Sequence, residues 1–490
     1  MKLLTRSSAM LRPPRLIGAG RDKPDRPRWK WEALLPAAFD RARRVRPNRP
    51  RSRGSMLLRC LIPGLVASAP ALACQSVAEV DLPLLANVEG TDPVPHCRVQ
   101  VLMASGQALD LHLPVDWSGR LFHLFDPSPL TRDDLLTGGA AVLEAPFEAE
   151  TLPRADDLAL AAYGRLPDHV YAAGTGAGAL AALAAAVSVP GDYDGLYLVS
   201  PALGGARRFL QEAHGIQTLA PLRGPLHEAF SEADLTLVAD AVLAACDALD
   251  GLADGIVFDI EGCRANFDPF RLACAETSLS CLFPERLEAL VILQDGPRTD
   301  LYDPLYAPWP WPPSLGDGDW RTARLGTPES PPAGALTAAA ELAAALGLGT
   351  DDPLAFLAAL DIPDAAARLP DSAPDAEAVV AFGAEGGRIL VLHPADDLEH
   401  SLFRSALWID RLHEEDPATD EILRLYAVPE GPVPDLLPRL VDWVEQDAPP
   451  GAIPQDFAPG ARPLCPWPLF AVHLGGDPAA AASFTCAGSG

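Results

Sequence analysis

Positive charge is scarce in most of this chain, and the little there is collects at one end. Residues 1–55 carry 16 Lys and Arg against 4 Asp and Glu, whereas the remainder carries 22 basic against 62 acidic residues. A body that acidic repels phosphate backbones and anionic lipid surfaces, so nucleic-acid binding and membrane-surface roles are excluded as first readings, and neutral or cationic small partners suit it better. Apart from the stretch that follows Met56, no run of about 18 apolar residues free of charge and proline occurs, so no membrane span is expected. C-x-x-C pairs and Cys-His clusters with ligand spacing are also absent, which argues against a zinc site. No internal repeat is evident. What is present is globular composition: 490 residues, 49% hydrophobic and 21% charged, with a net charge of -28. That is enough chain for two or three modules or one elaborated fold.

The first 55 residues, with R-P-P-R and R-A-R-R-V-R-P-N-R-P-R-S-R, show no periodic apolar face and read as a disordered basic extension. A second start follows. From Met56 the sequence has a charge at Arg59, an apolar stretch and the small-residue ending Ala71-Leu72-Ala73, the layout of a secretory signal over 56–73 with cleavage after Ala73. Acylation of Cys74, as in a lipoprotein, is the rival reading. Eight cysteines remain beyond the signal, an even number that fits four disulfides in an oxidising compartment, secreted or periplasmic. Their connectivity stays open at this level.

Strand-like runs occur over 99–113, broken by a turn at Ser105-Gly106, and over 121–125. The segment 169–199 then reads as strand, Gly-rich turn, Ala-rich helix and strand, a βαβ order that predicts a parallel sheet. Late strands at 388–393 and 423–428 and an amphipathic helix at 436–445 complete it. Between 204 and 379 the composition turns to proline, tryptophan and Ala-rich helices, which reads as an insert in one sheet. The expected organisation is therefore core 74–203, lid 204–379 and core 380–490.

Several of these segments resemble one family. H-V-Y-A-A-G-T-G-A-G-A-L-A-A-L at 169–183 and D-Y-D-G-L-Y-L-V-S-P-A at 192–202 are similar to the nucleophile elbow and next strand of the tannase and feruloyl esterases. L-P-V-D-W-S-G-R at 113–120, A-C-D-A-L-D-G-L-A-D-G-I at 245–256, L-V-D-W-V-E at 440–445, R-P-L-C-P-W-P at 462–468 and G-D-P-A-A-A-A-S-F-T-C at 476–486 follow in family order. The resemblance spans residues 74–490. It implies an α/β-hydrolase fold, a mostly parallel sheet with helices on both faces and a large inserted lid, acting on esters of phenolic acids. It further implies a calcium site made by the side chains of Asp247, Asp250 and Asp254 and the carbonyl oxygens of Leu252 and Ile256. The disulfides it implies are Cys74 with Cys97, Cys246 with Cys263, Cys274 with Cys281, and Cys465 with Cys486.

The resemblance fails at the chemistry. Acyl transfer on this fold needs a Ser on a G-x-S-x-G elbow, a His to take its proton and an acid to orient the His. The elbow reads Gly174-Thr175-Gly176-Ala177-Gly178, so Gly176 stands at the nucleophile position with no side chain to attack. Thr175 replaces the family's preceding Cys, and the family's His-Cys segment after the late strand is missing from 428–435. The oxyanion loop is replaced by Phe125-Asp126-Pro127-Ser128-Pro129, where proline has no N–H to donate. Asp397 falls at the position of the triad acid, one place from Asp396, and a lone Asp in an acidic protein reads as a solvated turn residue. Thr175, Ser188 and Ser200 are substitute nucleophiles whose simpler readings are turn, helix end and strand end. The expectation is a pseudoenzyme with no imidazole near Gly176, in which Gly176→Ser alone would restore nothing. The alternatives are an active esterase with another nucleophile, a non-catalytic binder of aromatic ligands, and a structural protein.

Overall fold

The computed structural model describes residues 70–488 apart from 275–279, 432 and 458–459, with 70–73 described by backbone alone. The basic extension and nearly all of the expected signal lie outside the described residues. The helix Pro70–Val77 straddles the expected cleavage point after Ala73.

Nine strands form one sheet: β1 (Leu84–Gly90), β2 (His96–Leu102), β3 (Ala108–Pro114), β4 (Arg120–Phe125), β5 (Ala141–Glu144), β6 (His169–Thr175), β7 (Gly195–Val199), β8 (Arg388–Pro394) and β9 (Leu423–Val428). Their order across the sheet is β1-β2-β3-β5-β4-β6-β7-β8-β9. β1, β2 and β3 pair antiparallel, as do β3 and β5, and every pairing from β5 through β4 to β9 is parallel. The two halves differ in sequence for that reason. β2 alternates buried and exposed positions as a strand with one wet face does, whereas β7 is buried along its whole length between helices.

Helices cover both faces. One face packs Leu152, Ala155 and Leu158 of helix Thr151–Tyr163, Ala179, Ala182 and Leu183 of Ala177–Ser188, Val379 and Phe382 of Ala376–Ala384, and Trp408 of Leu402–Glu415. The other packs Leu135 and Leu136 of Arg132–Thr137 and Leu440 of Leu437–Gln446. The latter helix is pinned by Glu445, which accepts from the Arg120 guanidinium at 2.7 and 2.9 Å and from the Tyr171 hydroxyl at 2.9 Å. This is the expected α/β-hydrolase arrangement.

Among the described residues, the segment between β7 and β8 adds no strand to the sheet and is helical instead. Several of its helices begin on side-chain caps: Ser231 and Asp234 form a reciprocal capping box, and Asp352, Asp361 and Asp375 each accept a backbone N–H of their own first turn. Part of the acidic excess thus serves to start helices. The expected boundary at 379 falls inside the helix Ala376–Ala384, which packs on the sheet.

All four disulfides close in the pairing the resemblance implies, Cys74–Cys97, Cys246–Cys263, Cys274–Cys281 and Cys465–Cys486. With its sulfur bonded to Cys97, Cys74 offers no thiol to a lipid, which counts against the acylation reading.

Candidate active site

β6 delivers the chain to a sharp turn, and the helix Ala177–Ser188 leaves from it. Gly176 sits between them at φ +53° and ψ -115°, a region that costs a side chain strain and glycine almost nothing. The elbow is drawn tight: a β-carbon at Gly178 would lie 2.3 Å from the Pro127 carbonyl oxygen and 2.5 Å from that of Phe125, so only glycine fits there. Pro127 also accepts from the Thr175 backbone N–H at 2.7 Å. The loop after β4 therefore meets the elbow with carbonyl oxygens where an oxyanion site would need donors.

The C-terminal end of β8 reaches the same place. A β-carbon built on Gly176 would lie 3.1 Å from Cε1 of His400, 3.7 Å from Nε2 and 3.9 Å from Nδ1. An imidazole therefore does face the elbow, contrary to the sequence-based expectation. The family carries its base after β9, whereas this imidazole follows the acid by three residues after β8. No motif marks it, and only the convergence of neighbouring parallel strands at their C-terminal ends could have pointed to it.

Asp397 is no solvated turn residue either. Its side chain is 15% exposed; Oδ1 accepts the backbone N–H groups of Glu399 at 2.7 Å and His400 at 2.8 Å and lies 3.9 Å from His400 Nδ1. The Ser200 hydroxyl also reaches this carboxylate, and although burial pushes its pKa upward, His393, His400 and Ser200 bring it below the ordinary value. Burial pushes the His400 pKa down to about 4, so the ring is a neutral imidazole whose protonation burial disfavours. His393, fully buried, holds the backbone here: Nε2 donates to the His400 carbonyl at 2.9 Å, and Nδ1 pairs with the Ser405 hydroxyl at 2.9 Å.

Of the substitute nucleophiles, Thr175 ends β6 and Ser188 Oγ donates to the Ala185 carbonyl at 2.8 Å, whereas Ser200 follows β7 buried, at φ +47°, beside the Asp397 carboxylate.

Asp247, Asp250 and Asp254 lie in one loop after the helix Glu232–Cys246. Asp247 Oδ1 accepts from the backbone of Asp254 and Gly255 at 3.0 and 2.9 Å, Asp250 Oδ1 from that of Leu252 at 3.0 Å, and Asp254 Oδ1 from that of Ile256 at 3.3 Å. The buried Arg462 guanidinium binds Asp254 Oδ2. Asp250 is 2% exposed, and its pKa is pushed up to about 7, chiefly by burial and then by the neighbouring charges of Asp254 and Asp247. Elsewhere, on β3 and β5, Asp110, His112 and Glu144 bring one ligand atom each within 4.8 Å of one another, a possible cation site. Arg98 already forks onto Asp110 there, with Nε 3.1 Å from each oxygen.

Residues 148–341 match the family model Tannase and feruloyl esterase. The match takes in the elbow and the 247–256 loop. The chain is 29% identical over 389 residues to the mono(2-hydroxyethyl) terephthalate hydrolase of Piscinibacter sakaiensis, covering 66% of this chain and 64% of that protein. It is 26% identical to a probable feruloyl esterase of Arthroderma benhamiae, covering 66% of this chain and 65% of the relative. The matches thus span slightly less than two thirds of these relatives' own length. Among solved structures, an esterase from Aspergillus oryzae superposes with a TM-score of 0.71 at 17% identity, over 86% of this chain and 100% of that one. Feruloyl esterase B from Aspergillus oryzae gives 0.68 over the same shares. At that identity these likenesses establish the fold alone, and the chain's chemistry rests on its own residues.

Proposed function

We propose that this protein is a secreted or periplasmic tannase/feruloyl-esterase-like scaffold that does not hydrolyse esters by the serine route. The observation that carries the reading is Gly176 at the elbow: an acyl group must be taken up by a side-chain oxygen or sulfur, and this position has neither. The loop after β4, with Pro127 and Pro129, deprives an oxyanion of a donor as well. Protein beginning at Cys74, given feruloyl and p-nitrophenyl esters, is expected to release product at the rate of buffer alone. Turnover that disappears on replacing Thr175 or Asp397 would overturn the reading and favour an esterase with another nucleophile.

The loop offers the oxygen donors that the family's calcium needs, but its carboxylates are not gathered: among the described residues, the group that brings one ligand atom each within 4.8 Å of one another is Asp110, His112 and Glu144. Three carboxylates, one of them buried with its pKa raised, face the single guanidinium of Arg462, which leaves the loop short of positive charge. Asp247, Asp250 and Asp254, with the carbonyl oxygens of Leu252 and Ile256, would hold the ion. Calcium supplies charge neutralisation there and no reaction chemistry.

Binding of an aromatic or phenolic ligand without catalysis is the second reading. A lid crevice lined by Trp309, Trp320 and Arg324 has suitable walls, yet its cavity volume is about 20 Å³. A ligand pocket is typically about 300 Å³ or more, so the crevice as it stands gives that reading little support.

A further inference from the structure

We propose that His400, oriented by Asp397, is a general base aimed at the side-chain position Gly176 leaves bare, so that this chain retains a base and an acid where the nucleophile is missing. The proposal rests on the reading of Gly176 as the nucleophile position, and it goes beyond that reading by identifying the base on a different strand end from the family's own.

Three observations carry it. First, the ring lies over Gly176, with Nε2 3.7 Å from where a β-carbon would stand. That carbon would stand 3.1 Å from Cε1, so the ring must give by a few tenths of an ångström, and an oxygen one bond further out then has Nε2 within the roughly 2.6–3.2 Å reach of a nucleophile–base pair. Second, Nδ1 is the nitrogen beside the Asp397 carboxylate, at 3.9 Å, and the bare position faces Cε1 between the two nitrogens, which leaves Nε2 for a side chain there while Nδ1 is turned to the acid. The 3.9 Å separation is looser than a hydrogen bond, as catalytic contacts often are without a ligand. Third, the segment is fixed from below: Asp397 caps the backbone N–H of His400, and the buried His393 donates to the His400 carbonyl. The charged groups acting on the ring are Asp397 and His393 from the β8 end, Arg208 from the turn Gly205–Phe209, and Arg324 from the helix Gly318–Leu325. The two guanidiniums and His393 oppose its protonation, and Asp397 favours it.

The test restores the missing group and asks whether His400 activates it. In Gly176→Ser treated with a fluorophosphonate, the Ser oxygen bonds to phosphorus, the P–F bond breaks, fluoride leaves, and the hydroxyl proton passes to His400 Nε2 and then to water. One covalent adduct per chain is expected, absent from the wild type and from the Gly176→Ser/His400→Gln double variant. In Gly176→Cys, iodoacetamide is expected to alkylate the thiol at pH 7 on the order of tenfold faster than an ordinary cysteine with a pKa near 8.5, an advantage lost with His400→Gln. Folded variants that stay unreactive, or that react equally without His400, overturn the proposal. So does failure of both variants to fold, since the proposal requires room beside the ring for a side chain. Wild-type turnover, by contrast, would overturn the inactive reading and leave these variants to be judged on their own.

Discussion

Buried imidazoles give this protein a pH signature at the scale of single residues. His123, in the middle of β4, is fully buried, pairs with the Tyr193 hydroxyl at 2.8 Å and the Ala145 carbonyl at 2.7 Å, and has its pKa pushed down to about 4 by burial. An unfolded chain takes up a proton at this side chain below about pH 6.5, while the folded chain does not until about pH 4. The unfolded state therefore binds more protons in that window, and stability falls as pH falls through it, by on the order of 3 kcal/mol for this residue. His393 and His400 act in the same direction. Urea unfolding of His123→Leu across pH 4–7 is expected to show lower stability at pH 7, from the two lost hydrogen bonds, and a shallower decline toward acid by one proton's worth. Curves parallel to the wild type would show that His123 titrates normally.

At the scale of elements, the loop between helix Glu232–Cys246 and helix Ile260–Asn266 is stapled by Cys246–Cys263 and, in our proposal, by calcium. EDTA is expected to lower the melting temperature of the wild type and to leave that of Asp250→Ala nearly unchanged, because an ion that binds only the folded loop stabilises by mass action. If chelation leaves the wild type unaffected and atomic emission finds no metal, the loop is an acidic turn. Replacing both cysteines of the 246–263 bridge should cost about 3 kcal/mol, read from the same melts. The elements themselves were unevenly legible. β6, β7, β8 and β9 announce themselves as apolar runs because both faces are covered. β5 spans only Ala141–Glu144, and β1, with its LLANVEG sequence, is largely wet at the sheet edge, so neither carries a usable period. The elbow was legible from its glycines, whereas His400 was not, since its role depends on where β8 ends relative to β6.

For the molecule as a whole, the question is whether the insert between β7 and β8 stands apart from the sheet. It has apolar clusters of its own, one around Phe230, Leu235, Leu290, Trp311 and Trp320 and another around Leu210, Ala339, Leu342 and Leu357. Yet Ile260, Tyr306, Ala307 and Ala373 of the insert belong to the same buried cluster as Leu196, Val391 and Phe403 of the sheet layer. The contacts between them are also polar: the Tyr306 hydroxyl donates to the Leu203 carbonyl at 2.6 Å, the Trp408 indole to the Pro374 carbonyl at 2.8 Å, and the Ser401 hydroxyl to the Pro308 carbonyl. Unfolding either part would expose apolar surface and leave buried donors of the other without partners, which couples the two. Calorimetry on the chain from Cys74 onward is therefore expected to give one transition whose van't Hoff and calorimetric enthalpies agree. Two resolved transitions, or an isolated 204–375 fragment that melts cooperatively by itself, would mean that the insert is a separate domain and that its contacts with the sheet do not decide its stability.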